Sequence, residues 1–322
     1  MRVVAIVNGY TGALCLQELV DQGDQVVGVV TNPADPGPDT PPERSVKLTA
    51  DRNYLPVYQP PMREVNSQRF LAILRDLKPD LIVSMHFPVI FCQELLDIPP
   101  LGVVNEHPSR LPAGRGMTPS FWHMLIGDDR NWITLHYLDK GIDTGDVIAQ
   151  GSIPITPDDT GMTTSRKLSE EGHRLFREYL PLIREGRAPR IPQSEIEGVT
   201  PSYYSWKPHY ARLRWSRPAE DLALQVRTLT IPRGQKSWTG CAYAYLAGQR
   251  INVRRASVAM PDAARDGLAP PGSVLGLVGE GILVQTGDGA LIIQDADMHG
   301  AEAEGLGGVL KLLTTGLPVR LG

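Results

Sequence analysis

The sequence predicts an α/β protein: a mostly parallel sheet covered by helices on both faces, followed by a smaller domain of short strands. Three observations carry this. Over residues 1–186 short apolar runs alternate with segments of helical spacing, the pattern of strand–helix–strand units whose strands are buried on both faces. From residue 241 onward five short β-like runs follow at close spacing across Gly- and Asp-rich turns, as in a small barrel or sandwich. Residues 187–215 between them are rich in Pro, Tyr and Trp and read as an extended linker. The resulting domains are 1–186, the linker 187–215, and 216–322; a length of 322 residues also favours two cores over one.

RVVAIV (2–7) gives the first strand, and Asn8-Gly9-Tyr10-Thr11-Gly12 the turn into a helix, ALCLQELVDQ, which stops at Gly23. QVVGVVT (25–31) is the second strand, followed by a Pro-rich loop from Asn32 to Arg44. A helix at 45–52, a short strand near Val57, a helix around RFLAILRDL (69–77) and the strand DLIVS (80–84) come next. LGVVN (101–105), a helix at PSFWHML (119–125), and the strands WITLHYL (132–138) and DVIAQ (146–150) complete the sheet. Beyond the linker, Ser216 precedes PAEDLALQVRTL, a helix with Pro218 near its start and acids in its first turn. The later strands are CAYAYL (241–246), INVRRASV (251–258), SVLGLV (273–278), ILVQT (282–286) and ALIIQDA (290–296).

Composition excludes several classes. No apolar run has the length of a membrane span, and the opening MRVVAIVNGY is too short in its apolar part for a signal peptide. Cys15, Cys92 and Cys241 are odd in number and widely spaced, against a disulfide framework or a metal site and in keeping with a reducing cytoplasm. Residues 205–322 carry 13 Lys+Arg against 10 Asp+Glu, too small an excess to argue for nucleic acid. The first turn has only Gly9 and Gly12, GxxG, and the second strand ends in Thr31-Asn32 instead of an acid, so no dinucleotide site is implied.

Two segments carry chemistry. NEHPSRLPAGRG (105–116) follows the apolar run LGVV and places Asn105 and His107 at a strand end, where open α/β sheets bind ligands. LDKGIDTGDVIAQ (138–150) holds Asp143 in a Gly-flanked turn between two strands. An amide, an imidazole and a carboxylate brought together suit acyl transfer. Histidine takes a proton or stabilises an oxyanion, asparagine donates to that oxyanion, and an aspartate beside histidine fixes its tautomer. No Ser or Cys sits in a nucleophile elbow, which favours direct transfer over a covalent acyl-enzyme. Each residue taken singly is equally well a turn former.

The pair NEHPSRLPAGRG and GIDTGDVI resembles the paired signature of the 10-formyltetrahydrofolate-dependent formyltransferases, Asn-x-His-x-Ser-x-Leu-Pro-x-x-Arg-Gly followed by Gly-Leu-Asp-Thr-Gly-Asp. Arg110 departs from a usually apolar position. ITPDDTGMT (155–163), WSRPAEDLALQVR (215–227) and PGSVLG…VQTGDGAL (271–291) extend the resemblance over nearly the whole chain. It implies a Rossmann-like catalytic domain with a small OB-like β-barrel after it, and catalytic roles for Asn105, His107 and Asp143. It implies 10-formyltetrahydrofolate as cosubstrate and no metal. The folate pocket would draw on Met85, His86, Phe87, Val89 and Ile90, on Ser109, Leu111 and Pro112, and on Tyr137, Leu138, Gly141, Ile142 and Asp146. His86 reads as pocket-lining, and His123 and His136 as structural.

Acceptors in this family are initiator methionyl-tRNA, nucleotide-linked amino sugars, and amino acids such as N-hydroxyornithine. The tRNA enzymes carry a basic loop after the second strand; here NPADPGPDTPPERSVK (32–47) has Asp35, Asp39 and Glu43 against Arg44 and Lys47. Phosphate contacts dominate nucleic-acid affinity, so a small-molecule amine is the expected acceptor and tRNA the alternative. Tyr203, Tyr204, Trp206 and Tyr210 are expected to order the linker. A formyl hydrolase or an inactive folate-binding relative is a further class. The intact trio speaks against inactivity, and a start directly in the first strand speaks against the hydrolases, which carry an extra N-terminal domain. A soluble cytoplasmic enzyme is expected, with its oligomeric state open.

Overall fold

A computed structural model describes residues 1–37, 40–231, 233, 239–246, 248–260, 269–313 and 321. The chain divides into two compact units. The first comprises Met1–Pro119, Arg130–Pro154 and Arg166–Tyr204; the second comprises Ser120–Asp129, Ile155–Ser165 and Ser205–Gly322.

The first unit is built on strands β1 (Arg2–Val7), β2 (Gln25–Val30), β3 (Val57–Tyr58), β4 (Leu81–Met85), β5 (Val103–His107), β7 (Arg130–Tyr137) and β8 (Val147–Pro154), in the sheet order β3-β2-β1-β4-β5-β7-β8. β1 to β5 pair in parallel, whereas β5 with β7 and β7 with β8 pair antiparallel. The helices are α1 (Gly9–Asp21), α2 (Val46–Arg52), α3 (Gln68–Asp76), α4 (Gln93–Leu96), α5 (Pro119–Leu125) and α6 (Gly161–Arg184). α5 and the first turn of α6 fall largely in the second unit. Two short strands, β6 (Arg115–Gly116) and β9 (Tyr203–Tyr204), form a separate parallel pair.

Successive strand residues point to opposite faces, and each face carries its own apolar cluster. Val3, Ala5 and Val7 of β1 and Val104 of β5 pack with Leu16 of α1 and Phe176 of α6. Val4, Ile6 and Val103 pack on the other face with Phe70, Leu71 and Leu74 of α3. This double burial is why the strands read as unbroken apolar runs. The alternation continues into the polar end of β5: Asn105 and His107 take the face of Val103, and Glu106 takes that of Val104.

α1 begins at Gly9, directly after β1, where the Gly-rich stretch suggested a turn as far as Gly12. A Cβ on Gly12 would stand 2.9 Å from Val7 Cβ, so this glycine serves close packing of helix on strand inside the first turns. α4 and the β6–β9 pair had no sequence signal. Pairing with β6 also means that two residues within the expected linker, Tyr203 and Tyr204, are sheet.

The second unit holds α7 (Ala219–Thr228), strands β10 (Tyr243–Leu246), β11 (Gln249–Val258), β12 (Val274–Val278), β13 (Gly281–Gln285) and β14 (Ala290–Met298), and α8 (Gly305–Leu313). The strands form one antiparallel sheet in the order β10-β11-β14-β13-β12, all five of them where the apolar runs lay. Trp206, Trp215, Leu222, Val226, Ile251, Val253 and Val284 are part of its core. The N-cap of α7 is Pro218, and Ser216 makes no capping bond. Trp206 and Tyr210 stack edge-to-face with each other and with Trp122. Among the described residues no helix is long and apolar enough to cross a membrane.

Candidate active site

β5 brings its last residues to the carboxyl ends of the parallel strands. Across the ladder Asn105 lies opposite His136 and His107 opposite Thr134 of β7, so these side chains share one face.

His136 is fully buried. Its Nδ1 lies 2.8 Å from the Tyr137 carbonyl oxygen, which can only accept, so Nδ1 carries the proton. Nε2 is then the acceptor, and the Asn105 amide donates to it at 3.1 Å. Burial holds the His136 ring below the usual imidazole range and keeps it neutral. The Asn105 amide is therefore fixed in one orientation, with its second N–H available to a developing oxyanion.

His107 is 5% exposed. Its Nε2 donates to the Gly114 carbonyl at 2.9 Å, and its Nδ1 faces Asp143 Oδ1 at 3.5 Å. A proton arriving at Nδ1 would point at a carboxylate. The His107 and His136 rings stand edge to face, 6.3 Å between centroids.

Asp143 lies in the turn between β7 and β8 with φ +53°, the left-handed region that few non-glycine residues occupy. Its Oδ2 accepts from Gly116 N at 2.8 Å, leaving Oδ1 for His107. Asp139 Oδ1 gathers the turn by accepting from Gly141 N at 3.0 Å and Thr144 Oγ1 at 2.6 Å. Gly145 must be glycine, since a Cβ would stand 2.0 Å from the Tyr137 carbonyl oxygen. Gly116, at φ +93°, would place a Cβ 2.5 Å from the Tyr204 carbonyl oxygen. Gly145 and Gly116 are thus explained by close backbone approach on either side of Asp143.

The structure sorts the expected pocket residues into two groups. The side chains of Met85, Ser109, Leu111, Pro112 and Tyr137 are buried. Met85 belongs to the α1–α6 core. Ser109 Oγ donates to Ala113 O, and Gln150 Nε2 to Leu111 O, so this loop is tied down by its own groups. Tyr137 points to the face opposite Asn105, where the Arg190 guanidinium covers its ring at 3.6 Å; strand alternation removes its side chain from the site. Phe87, Val89 and Leu138, by contrast, are half-buried on the α3 side, the face of Asn105 and His107. Ile90 and Ile142 expose apolar side chains, and His86 follows β4 with φ +53°. Gly141 and Asp146 lie in the β7–β8 turn, where Asp146 O accepts from Tyr137 N.

Three residues close to the site had no functional reading in the sequence. His136 orients Asn105, which the register of β7 against β5 could have shown. Glu106 buries its carboxyl behind the site. Gln193 reaches the Asp143 turn from the Pro-rich segment. His123, in α5, pairs with Asp128 at 2.6 Å within the second unit. Among the described residues no group of three or more His, Cys, Asp or Glu could hold a metal ion. Two clefts of about 740 and 760 Å³ lie in the second unit and include none of the trio; Arg227, Arg254 and Arg255 line one, His209, Arg212 and Arg214 the other.

Residues 1–180 match the family model described as formyl transferase, and residues 206–306 the model of the formyl transferase C-terminal domain. The methionyl-tRNA formyltransferase of Pelotomaculum thermopropionicum is 33% identical over 315 residues, 97% of this chain and 95% of the relative. That of Symbiobacterium thermophilum is 38% identical over 294 residues, 89% and 85% of the two chains. Among solved structures, the N-formyltransferase of Helicobacter canadensis, in complex with folinic acid and dTDP-3-aminofucose, superposes with a TM-score of 0.64 at 18% identity, over 92% of this chain and 99% of that one. HypX of Aquifex aeolicus with tetrahydrofolic acid gives 0.64 at 19%, over 98% of this chain and 48% of that one. These two similarities establish a shared fold.

Proposed function

Because the chain belongs to the formyl transferase family, matched in both its N-terminal and its C-terminal domain, we propose that it transfers the formyl group of 10-formyltetrahydrofolate to the amino group of methionyl-tRNA. The observation that carries formyl transfer is the convergence of Asn105, His107 and Asp143 at one strand end. The acceptor rests on the relatives named for it, which align with this chain from end to end.

The folate lies with its pterin along Phe87, Val89 and Leu138. The amine attacks the formyl carbon, and the carbonyl oxygen becomes an oxyanion that receives the free N–H of Asn105. His107, with Asp143 beside it, takes up the proton the amine loses. The tetrahedral carbon then releases the folate nitrogen, which keeps the electron pair of the broken C–N bond and is protonated. The product is a formamide and tetrahydrofolate.

The loop at 32–47 bears on the acceptor. Asp35 turns inward, where its Oδ2 accepts from Lys47 N at 2.9 Å and Thr31 Oγ1 at 3.4 Å; these bonds tie its carboxylate into the loop's own structure. Asp39 lies outside the described residues. The count of acids therefore weighs less against tRNA than the sequence suggested. Lys47 is nonetheless paired with Asp51 at 2.5 Å, which leaves Arg44 as the loop's cation without such a partner among the described residues. That poverty of cations favours, as the second reading, a small-molecule amine such as a nucleotide-linked amino sugar.

A panel of acceptors with 10-formyltetrahydrofolate, followed by tetrahydrofolate release, separates the two. Turnover with methionyl-tRNA and none with dTDP- or UDP-amino sugars or ornithine supports the first reading. Turnover confined to one of the small amines establishes the second, and release of formate without any amine rejects both.

A further inference from the structure

Asp143 adopts a backbone conformation that disfavours it, yet its carboxylate is held to one face of His107. Something outside the turn must hold it there. Gln193, in the segment after α6, is buried at 6% exposure. Its Nε2 donates to two carbonyls of the turn, Asp143 O and Gly145 O, both at 2.8 Å. Its Oε1 accepts from Arg115 Nε at 3.0 Å and Arg115 Nη2 at 2.6 Å. The amide orientation needs no assumption, because carbonyls only accept and a guanidinium only donates.

Arg115 is anchored in turn. Its Nη1 donates to Tyr203 OH at 3.0 Å, and β6 pairs with β9. The next residue along, Gly116, supplies the N–H that holds Asp143 Oδ2. Two neighbouring residues of β6 therefore grip the same turn from two sides, one through its backbone and one through Gln193. The segment carrying Gln193 is fastened to the site loop as well: Gly114 N donates to Ser202 Oγ at 2.9 Å, Arg115 N to Ser202 O at 3.0 Å and Met117 N to Tyr204 O at 3.0 Å.

We infer that Gln193 is a positioning residue for the reaction, setting the Asp143 turn so that the carboxylate meets His107, with Arg115 fixing Gln193 in the required orientation. This rests on the proposed role of Asp143. Gln193 acts through the Asp143 turn.

Gln193→Glu is the discriminating substitution. It keeps size, shape and the contact with Arg115 but replaces two N–H donors with a carboxylate oxygen facing two carbonyls. Formyl transfer is followed with 10-formyltetrahydrofolate and methionyl-tRNA, or with whichever amine the panel selects, alongside Asp143→Asn and the double variant. The expected result is a fall in kcat of about 10- to 100-fold with KM for both substrates within about threefold. In the Asp143→Asn background the same change should cost less than about threefold, because its effect passes through that carboxylate. A kcat for Gln193→Glu within twofold of wild type overturns the inference, as does a loss that is undiminished in the Asp143→Asn background. An Asp143→Asn enzyme of wild-type activity would instead overturn the reading of the site. Arg115→Met tests the same grip from its other end and stands in should Gln193→Glu not fold; it should lower kcat in the same direction, and unchanged kcat would refute the relay.

Discussion

Glu106 sits between Asn105 and His107 in sequence but faces the other side of the sheet. It is 2% exposed, and among the described residues neither carboxyl oxygen has a hydrogen-bond partner. Room for it is made by Gly172 in α6, where a Cβ would come within 2.2 Å of the carboxyl carbon. Burial raises its pKa from 4.5 to about 8, so the side chain is held as the neutral acid. Cys15 of α1 is the nearby titratable group; burial first, then Glu106 and Glu18, raise its thiol further out of range. In the unfolded chain a carboxyl titrates near its ordinary value. Between 4.5 and 8 the native state thus holds a proton that the unfolded state has lost, and stability falls as pH rises. The slope is about 1.4 kcal/mol per pH unit, or about 5 kcal/mol across the window. Below 4.5 both states are protonated and the effect is absent. Urea unfolding of wild type and Glu106→Gln at pH 5, 6, 7 and 8 isolates this, since other titrating groups cancel between the two. The variant should gain on wild type by about 4 kcal/mol between pH 5 and pH 8 in the transition that the substitution moves. Parallel pH dependences would refute the reasoning and mean that water or a partner satisfies the carboxylate. Formyl transfer at pH 7 should stay within about threefold of wild type, because the substitution lies behind the catalytic face.

Three further outcomes are expected. His136→Leu removes the acceptor that orients Asn105 and should lower kcat by about 10- to 100-fold with little change in KM, measured by tetrahydrofolate release; His136→Gln, which can still accept, should recover part of the loss. Gly116→Ala adds a Cβ against the Tyr204 carbonyl and strains a positive φ, so activity should fall at least about 100-fold and thermal melting should show a lower midpoint. Asp297→Ala leaves buried Arg254 and Asn252 without their shared carboxylate and should destabilise the protein by about 3–5 kcal/mol in urea titration.

Much of this molecule can be read from its residues, for identifiable reasons. The central strands of the first unit are legible because both faces are buried, which favours apolar residues at nearly all positions of β1 and β4. Asn105, His107 and Asp143 stand out in sequence because polar side chains end an apolar strand and glycines bracket an acid; singly each is equally a turn former, and it is the family resemblance that implies their roles. The contribution of His136 is not, because it depends on which residue of β7 stands opposite Asn105, a matter of register. The resemblance implies a pocket place for Met85 and Tyr137, and strand alternation carries both side chains into the core on the α1–α6 face of the sheet, which a resemblance in sequence does not show. Gln193 lies 50 residues from Asp143 in sequence, in a segment whose prolines speak of a linker and whose pairing with β6 is a tertiary event. α1 starts at Gly9 and not after Gly12, because a glycine needed for helix–strand contact looks, in sequence, like one needed for a turn.

Labelling the formyl carbon of 10-formyltetrahydrofolate and following the label in one turnover tests the account most directly. With methionyl-tRNA present, wild-type enzyme should carry the label into an acid-stable formamide on the amino acid, and His107→Ala should leave it on the folate. Label released as formate, or transferred equally well by His107→Ala, would contradict the assignment of this site to formyl transfer.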